Sequence, residues 1–282
     1  MARNRIAFQG ARGAFSEEAA RRLLGDNVVY LPCERFEEVF QAVRSGKADC
    51  AVVPIENTLH GSVHENYDNL LNFKLPIVAE TRIRIVHNLI GCRDATFAKV
   101  KKAISHPVAL RQCLTFFKQH KGIRSEAFYD TAGSVRRVMD EGDPSVAAIA
   151  SKAAAACYGA KILKRSIEDD RHNYTRFFLL KKQAPKRPAK KGVPLKTSIV
   201  FSTPNKPGTL FRCLSAFALR DINMDKIESR PSRGRPFEYL FYLDFLGSPD
   251  DPACRNAMSH LGEMADFVAV LGCYPQASQP EP

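Results

Sequence analysis

The sequence lacks the long apolar segments that would place it in or across a membrane. No apolar run approaches the roughly 20 residues that a bilayer crossing needs. The first eight residues, from Met1 to Phe8, lead directly into a strand pattern without the apolar core of a signal peptide. We therefore expect a cytoplasmic protein with no membrane partner.

The sequence also lacks the usual signatures of metal, disulfide and dinucleotide sites. Its eight cysteines include no Cys-x-x-Cys pair, and the nearest two, Cys33 and Cys50, are far apart, so buried free thiols are expected. His60 and His64 have helical spacing, but no third ligand joins them, which favours surface histidines over a metal site. The G-x-G-x-x-G fingerprint is absent. We predict neither a metal nor a cofactor.

The positive charge is concentrated in one short segment. Residues 181–196 hold seven Lys and Arg, no acids and three prolines, so they supply more than half of the net charge of +12. This composition predicts a solvated, semi-rigid linker. Contact with RNA or a membrane surface is the alternative, but no aromatic residues are interleaved on which bases would stack. We expect no nucleic-acid partner.

Residues 173–178, Asn-Tyr-Thr-Arg-Phe-Phe, carry the most informative pattern. In a strand, Thr175 and Phe177 would share one face, and Arg176 would lie on the other. A hydroxyl beside an aromatic ring suits a binding site. An ordinary half-buried strand explains the same residues.

The first part of the chain alternates strands and helices, which predicts an α/β fold with mainly parallel sheets. A long extended stretch near residues 75–90, with a return near 160–175, predicts two lobes and a cleft between them. The loop of residues 10–16 precedes a helix that Ser16 is expected to cap. Its free amides, including those of Gly10 and Gly13, suit an anion.

Polar residues follow several predicted strands, where open α/β sheets bind ligands. Glu56, Asn57 and Thr58 follow the apolar strand at 49–53. For Thr58 and Ser62, capping of the next helix is an equally good explanation.

After the basic segment the order becomes β-α-β-β-α-β, an α+β ferredoxin-like unit. Its sheet edges favour pairing with a second copy. We predict a catalytic unit at 1–183, a linker at 184–196, a regulatory unit at 197–275 and a tail at 276–282.

Five motifs together resemble the prephenate dehydratases and their arogenate dehydratase relatives. They are residues 10–16, residues 54–63, Ser105-His-Pro with Gln112 and Cys113, Asp130-Thr-Ala, and Asn173-x-Thr-Arg-Phe. Residues 207–210 and 227–231 resemble the ACT regulatory domain of that family. No chorismate mutase domain precedes the motifs, so the monofunctional form is expected. Ala11, Ala14, Thr58 and Thr209 depart from the residues usual in the family.

The resemblance implies conversion of prephenate to phenylpyruvate by loss of carbon dioxide and a ring hydroxyl, without a cofactor. Arogenate is the alternative substrate. Thr175 would donate a hydrogen bond to the leaving oxygen, and Phe177 would exclude water. Glu56 would either orient the site or act as the acid, and the residues do not decide between these roles. The predicted substrate-binding residues are Asn57, Thr58, Ser105, Gln112, Thr131, Phe177, Gly10 and Gly13.

The resemblance also implies control by phenylalanine, bound between ACT domains of a homodimer or homotetramer. The residues expected to bind it are Gly208, Thr209, Leu210, Asn223, Glu228, Ser229 and Arg230; a plain helix start and turn is the alternative explanation for them. Two other classes compete: a solute-binding protein, which usually carries an export signal, and a non-enzymatic amino-acid-responsive regulator, which would need a DNA-binding module.

Overall fold

The computed structural model describes residues 3–184, 192–232 and 238–278, which pack as two units. The first comprises the described chain up to Asn69 together with Thr81–Leu179, and the second comprises Leu70–Glu80 and the described residues from Leu180 to Ser278. The predicted linker residues 185–191 and the end of the predicted tail, 279–282, lie outside the described residues. No helix in the described ranges is long and apolar enough to cross a membrane.

The chain up to Lys181 alternates strands and helices, as the sequence predicts. Its elements are β1 (Asn4–Gln9), α1 (Phe15–Leu24), β2 (Val28–Cys33), α2 (Phe36–Ser45), β3 (Cys50–Asn57), β4 (Gly61–Ser62), α3 (His64–Phe73), β5 (Ile77–Arg84), β6 (Asn88–Gly91), a 3-10 turn (Phe97–Lys99), β7 (Lys102–Ser105), α4 (Pro107–Arg111), α5 (Leu114–Gln119), β8 (Arg124–Ala127), α6 (Thr131–Glu141), β9 (Val146–Ala150), α7 (Lys152–Tyr158), β10 (Lys161–Lys164) and β11 (Tyr174–Lys181).

Two sheets organise this part of the chain. The first has the order β2-β1-β3-β11-β5 with β4 beside β3, and the second has the order β10-β6-β9-β7-β8. β1 is parallel to β2 and β3, and β7 is parallel to β8 and β9, whereas β6 is antiparallel to β9 and β10. The predicted α/β class is confirmed, with parallel and antiparallel pairs mixed.

Helix ends in the first unit differ from the sequence expectation at two places that matter for the site. α1 begins at Phe15 with Ala14 at its cap position, so Ser16 lies inside the first turn and does not cap it. The sequence after β7 predicts one helix from residue 107 to residue 117, but the structure interrupts it at Gln112. The Asp169 carboxylate accepts hydrogen bonds from the N–H groups of Leu114 and Thr115 (2.8 and 2.9 Å) and so caps a new helix, α5.

The second unit has the predicted β-α-β-β-α-β order. Its elements are β12 (Leu195–Ser202), α8 (Thr209–Ala218), β13 (Met224–Pro231), β14 (Tyr239–Leu246), α9 (Pro252–Met264) and β15 (Phe267–Pro275). They form an antiparallel sheet in the order β13-β14-β12-β15. Residues 228–231, expected as a turn, are the end of β13.

One residue counted with the solvated linker is buried. Lys196 lies in β12 with no exposed surface, and its Nζ is 3.1 Å from Glu80 Oε1 and 2.7 Å from Asp225 Oδ2. All three residues belong to the second unit. Lys196 therefore has a structural role, although it lies at the end of a basic segment that was predicted to be solvated.

Candidate active site

A cleft of about 420 Å³ opens in the first unit, a volume in the range of small-molecule sites. Its walls come from elements of both sheets. The polar lining residues are Gln9, Ser16, Asn57, His60, Ser62, His87, His106, Gln112, Asp130, Thr131 and Thr175, and the aromatic ones are Phe15, Phe36, Tyr129 and Phe177.

Strand β11 presents Thr175 and Phe177 to this cleft, as its alternation predicts. Thr175 is 9% exposed and Phe177 is 2% exposed. The Arg176 guanidinium instead lies 4.7 Å from the centre of the Phe178 ring. Thr175 therefore offers a hydroxyl in a water-poor wall.

Asn57 holds the Thr175 hydroxyl in place. Its Nδ2 lies 3.0 Å from Thr175 Oγ1, 2.7 Å from the side-chain oxygen of Asn173 and 3.1 Å from the carbonyl of Tyr174, so its two protons are shared among three acceptors. Its Oδ1 accepts from the N–H groups of residues 59 and 60. The Asn57 amide lines the cleft and is engaged within the protein, so it positions Thr175; its direct contact with the substrate stays a prediction. Since Thr175 Oγ1 accepts here, its own proton is available to the cleft.

Two histidines, one buried and one half-buried, supply further polar groups. His106 Nδ1 accepts from the N–H of Val108 at 3.2 Å, which places the proton of the neutral ring on Nε2. His87 Nε2 lies 2.7 Å from Gln112 Oε1. Burial lowers the pKa of both His87 and His106 below the ordinary value. Both rings are therefore neutral hydrogen-bonding groups near pH 7.

At the start of α6, Thr131 lines the cleft and Asp130 caps the helix. The Asp130 carboxylate accepts from Ala11 N–H at 2.9 Å and from Gly133 N–H at 3.0 Å. These bonds join the loop after β1 to α6. Both bonds go to Oδ2, so they engage one oxygen of Asp130, the carboxylate among the residues that line the cleft.

Glu56 and Ser105, two of the five predicted site residues that do not line the cleft, have partners within the protein. Glu56 is not among its lining residues, and its Oε2 lies 3.9 Å from the Arg176 guanidinium. Ser105 has no exposed surface, and its hydroxyl donates to the carbonyl of Ile149 at 2.6 Å. The arrangement favours Thr175 over Glu56 as the donor, and it gives Ser105 an internal role.

Thr58 also has an internal role. Its hydroxyl donates to the His172 carbonyl at 2.8 Å and accepts from the Tyr174 N–H at 2.9 Å. It fixes the entry into β11, which does not fit the predicted substrate binding.

The amides of Gly10 and Gly13, which were expected to be free for an anion, are engaged within the protein. Gly10 N–H donates to the Cys33 carbonyl at 3.0 Å, and Gly13 N–H donates to Glu17 Oε2 at 2.9 Å. The cleft instead meets this segment at residues 14–16, the first turn of α1, where helix amides lack intrahelical acceptors.

Sequence reasoning missed His87, His106, Asp130 and Tyr129 as cleft residues. His106 and Asp130 lie within the family motifs, each just after a strand, so strand-end position was a usable signal. His87 lies in an extended stretch between β5 and β6, and no local pattern marks it.

The second unit has its own cleft of about 390 Å³ at the start of α8. Gly208, Thr209 and Leu210 line it, with Tyr239 and Phe241 among the aromatic residues. Four other predicted effector residues, Asn223, Glu228, Ser229 and Arg230, do not line this cleft.

An α/β unit with a polar, partly aromatic cleft, joined to a βαββαβ unit with a second cleft, is the organisation of a small-molecule enzyme with a regulatory domain. The profile of the prephenate dehydratase family matches residues 6–185, and that of the ACT domain matches residues 197–257.

Relatives and solved structures agree with these matches. "Arogenate dehydratase/prephenate dehydratase 1, chloroplastic" of Arabidopsis thaliana is 45% identical, over 96% of this chain and 72% of that protein. The prephenate dehydratase of Arthrobacter aurescens in complex with L-Phe has a TM-score of 0.88 at 29% identity, over 96% of this chain and 90% of that one. A chain described as "GqqA- a novel type of quorum quenching acylases" has a TM-score of 0.89 at 33% identity, over 97% of this chain and 98% of that one.

The chain belongs to the prephenate dehydratase family and carries a C-terminal ACT domain. Its enzyme class is accordingly that of the dehydratases, carbon–oxygen lyases of phenylalanine biosynthesis.

Proposed function

We propose that the protein converts prephenate to phenylpyruvate. The carboxylate on the quaternary ring carbon leaves as carbon dioxide, and its bonding electrons complete the aromatic ring. The opposite ring hydroxyl leaves and takes up a proton, giving water. Aromatisation drives both cleavages, so the protein has to assist the leaving oxygen and keep water away from the carboxylate.

The observation that carries this proposal is the hydrogen bond from Asn57 to Thr175, which leaves the Thr175 proton to donate into the cleft. A hydroxyl fixed in this way is a preorganised donor for charge that develops on a leaving oxygen. Phe177 beside it excludes water, which favours loss of the carboxylate.

The remaining polar wall suits an anionic substrate. Gln112, Thr131 and Ser16 contribute an amide and two hydroxyls, and His106 contributes a neutral Nε2–H donor. These donors match the carboxylates and the keto oxygen of prephenate.

Arogenate is the second candidate substrate, because the 45% identical plant relative is named as an arogenate and prephenate dehydratase. Arogenate differs by an ammonium group in place of the keto oxygen. The donors of the polar wall favour the keto oxygen of prephenate, because an ammonium group cannot accept their hydrogen bonds.

Purified protein incubated separately with prephenate and arogenate tests this proposal. We expect phenylpyruvate from prephenate at a higher kcat/KM than phenylalanine from arogenate. A higher kcat/KM with arogenate than with prephenate would instead identify arogenate as the preferred substrate. Turnover of neither, with release of an acyl group from a quorum-sensing signal, would instead follow the structure described as an acylase.

We further propose that phenylalanine is the effector and that it binds the cleft at the start of α8, in a homodimer or homotetramer. The complex of the Arthrobacter aurescens relative with L-Phe supports the choice of ligand. Gly208 has a positive φ of 79°, and a Cβ placed on it would meet no heavy atom within 4 Å, so the helix start is open to a carboxylate.

Calorimetry with L-phenylalanine and D-phenylalanine tests the effector proposal on the full chain. We expect saturable binding of the L form and a lower affinity for the D form. Leu210→Asp, which places a charge in the cleft wall, should weaken binding at least tenfold. Unchanged binding in this variant would move the effector site elsewhere.

The domain boundaries remain part of the proposal. Matches over 6–185 and 197–257 support a catalytic unit at 1–183 and a regulatory unit at 197–275. The cytoplasmic location stays a prediction, since the Arabidopsis relative is named as chloroplastic.

A further inference from the structure

His87 is a deeply buried ionisable side chain of the cleft wall, and the proposed dehydration step does not use it. It is 2% exposed and lines the cleft beside Gln112. Its ring meets the Phe15 ring edge-on, with centroids 5.9 Å apart. One of its ring nitrogens contacts Gln112, and the other, Nδ1, has no hydrogen-bond partner among the described residues.

We propose that His87 is a positioning residue that fixes the orientation of the Gln112 side-chain amide, so that the NH2 group and not the carbonyl faces the substrate. The proposal rests on the dehydratase function proposed above. It gives the cleft a further fixed donor besides Thr175 and His106.

The direction of the contact follows from the chemistry of the two groups. With the Gln112 amide oriented as in the structure, Oε1 can only accept, so His87 Nε2 carries the proton across the 2.7 Å contact. The bare Nδ1 is then a buried acceptor without a partner among the described residues. In the reversed arrangement, Gln112 would donate to Nε2 and Nδ1 would carry a buried proton without an acceptor there. Orphaned buried N–H groups are rarer than under-satisfied acceptors, which favours the first arrangement.

The backbone holds both residues in register. The His87 N–H donates to Glu168 Oε2 at 3.0 Å, and the His87 carbonyl accepts from the Ile167 N–H at 2.9 Å. The Gln112 carbonyl accepts from the Asp169 N–H at 2.7 Å. Residues 167–169 therefore fix the backbones of both partners, and the side-chain contact fixes the amide between them.

The contact with His87 determines which end of the Gln112 amide faces the substrate. With Oε1 engaged by His87, the amide NH2 is what Gln112 has left for a carboxylate or a keto oxygen. Without His87, the amide can rotate by about 180° and place its carbonyl against the same anionic group. Loss of His87 should therefore weaken substrate binding more than it slows the chemical step.

A double-mutant cycle tests this coupling. His87→Leu removes the donor, and we expect KM to rise roughly tenfold with a smaller change in kcat. His87→Gln, whose amide can reach the Nε2 position, should recover most of the loss. In a Gln112→Leu background, His87→Leu should change KM by less than about twofold, because its effect passes through Gln112. A further tenfold rise there would overturn the proposal.

Nitrogen NMR of the histidine side chains can be measured on the wild-type protein, so it requires neither a folded variant nor a substrate. We expect His87 as the neutral tautomer with a protonated Nε2 and a bare Nδ1. A proton on Nδ1 would overturn the proposal. Failure of the wild-type protein to turn over prephenate or arogenate would instead reject the proposed function, while this tautomer assignment would still be tested.

Discussion

Asn57 and Thr175 are 118 positions apart in the chain, yet Asn57 Nδ2 donates to Thr175 Oγ1 at 3.0 Å. This contact decides what the Thr175 hydroxyl can do, because a hydroxyl that accepts from an amide keeps its own proton for another partner. The catalytic role proposed for Thr175 thus depends on Asn57.

Replacing Asn57 by aspartate should reverse this contact. A carboxylate at this position accepts only, so Thr175 would donate to it and not to the leaving oxygen. We expect Asn57→Asp to lower kcat by roughly 10²–10³, the range for losing one transition-state donor. Steady-state kinetics on Asn57→Asp, Thr175→Val and the double variant test whether Asn57 acts through Thr175. If the two losses multiply in the double variant, Asn57 does not act through Thr175.

Gly13 should tolerate no side chain. A Cβ there would lie 2.5 Å from Ala154 Cα, and the residue has a φ of +84°. Gly46 is a matched control, with a φ of +80° and open space within 4 Å of the position that a Cβ would take. Gly46→Ala should lose only the left-handed conformational term, about 1–2 kcal/mol, and Gly13→Ala should lose clearly more. Urea unfolding of both variants measures the difference, and equal losses would show that the α7 backbone moves aside.

Lys196 should stabilise the second unit because its ammonium compensates the buried Glu80 carboxylate at 3.1 Å. Lys196→Ala leaves that carboxylate buried without its cation, so we expect the free energy of unfolding to fall by about 3–5 kcal/mol. Adding Glu80→Gln should recover part of the loss. Arg137→Ala, which breaks the exposed pair with Glu141, is the control and should change stability little. A loss from Lys196→Ala no larger than this control would contradict the account.

Acidification should destabilise the protein before its carboxylates titrate. Burial lowers the pKa of His87 and His106 in the folded state, whereas the unfolded chain has the ordinary value of about 6.5. As the pH falls below about 6.5, the unfolded state binds protons that the folded state does not, so the free energy of unfolding decreases. Urea midpoints measured from about pH 7.5 to 5.5 should fall, and less steeply in His87→Gln. If the urea midpoint depends on pH equally in the wild-type protein and in His87→Gln, His87 does not contribute to the loss of stability.

The sequence predicted the parts of the site that depend on local geometry. Strand alternation places Thr175 and Phe177 on one face, a prediction that needs only the period of a strand. The resemblance to the prephenate dehydratases supplied Gln112 and Thr131, which line the cleft.

The sequence could not predict which strand-end side chains are engaged internally. Ser105 donates to Ile149, and Thr58 contacts His172. Each of these contacts joins segments that are far apart in the chain. The interruption of the helix at Gln112 has the same kind of cause, since the capping carboxylate comes from Asp169.

The most direct test of the account compares Thr175→Val with Thr175→Ser. Valine keeps the shape and removes the hydroxyl, while serine keeps the hydroxyl beside Asn57. We predict that kcat falls by roughly 10²–10³ for valine, with little change in KM, and stays within about tenfold of wild type for serine. A kcat for Thr175→Val within about threefold of wild type would contradict the assignment of Thr175 as the donor to the leaving oxygen.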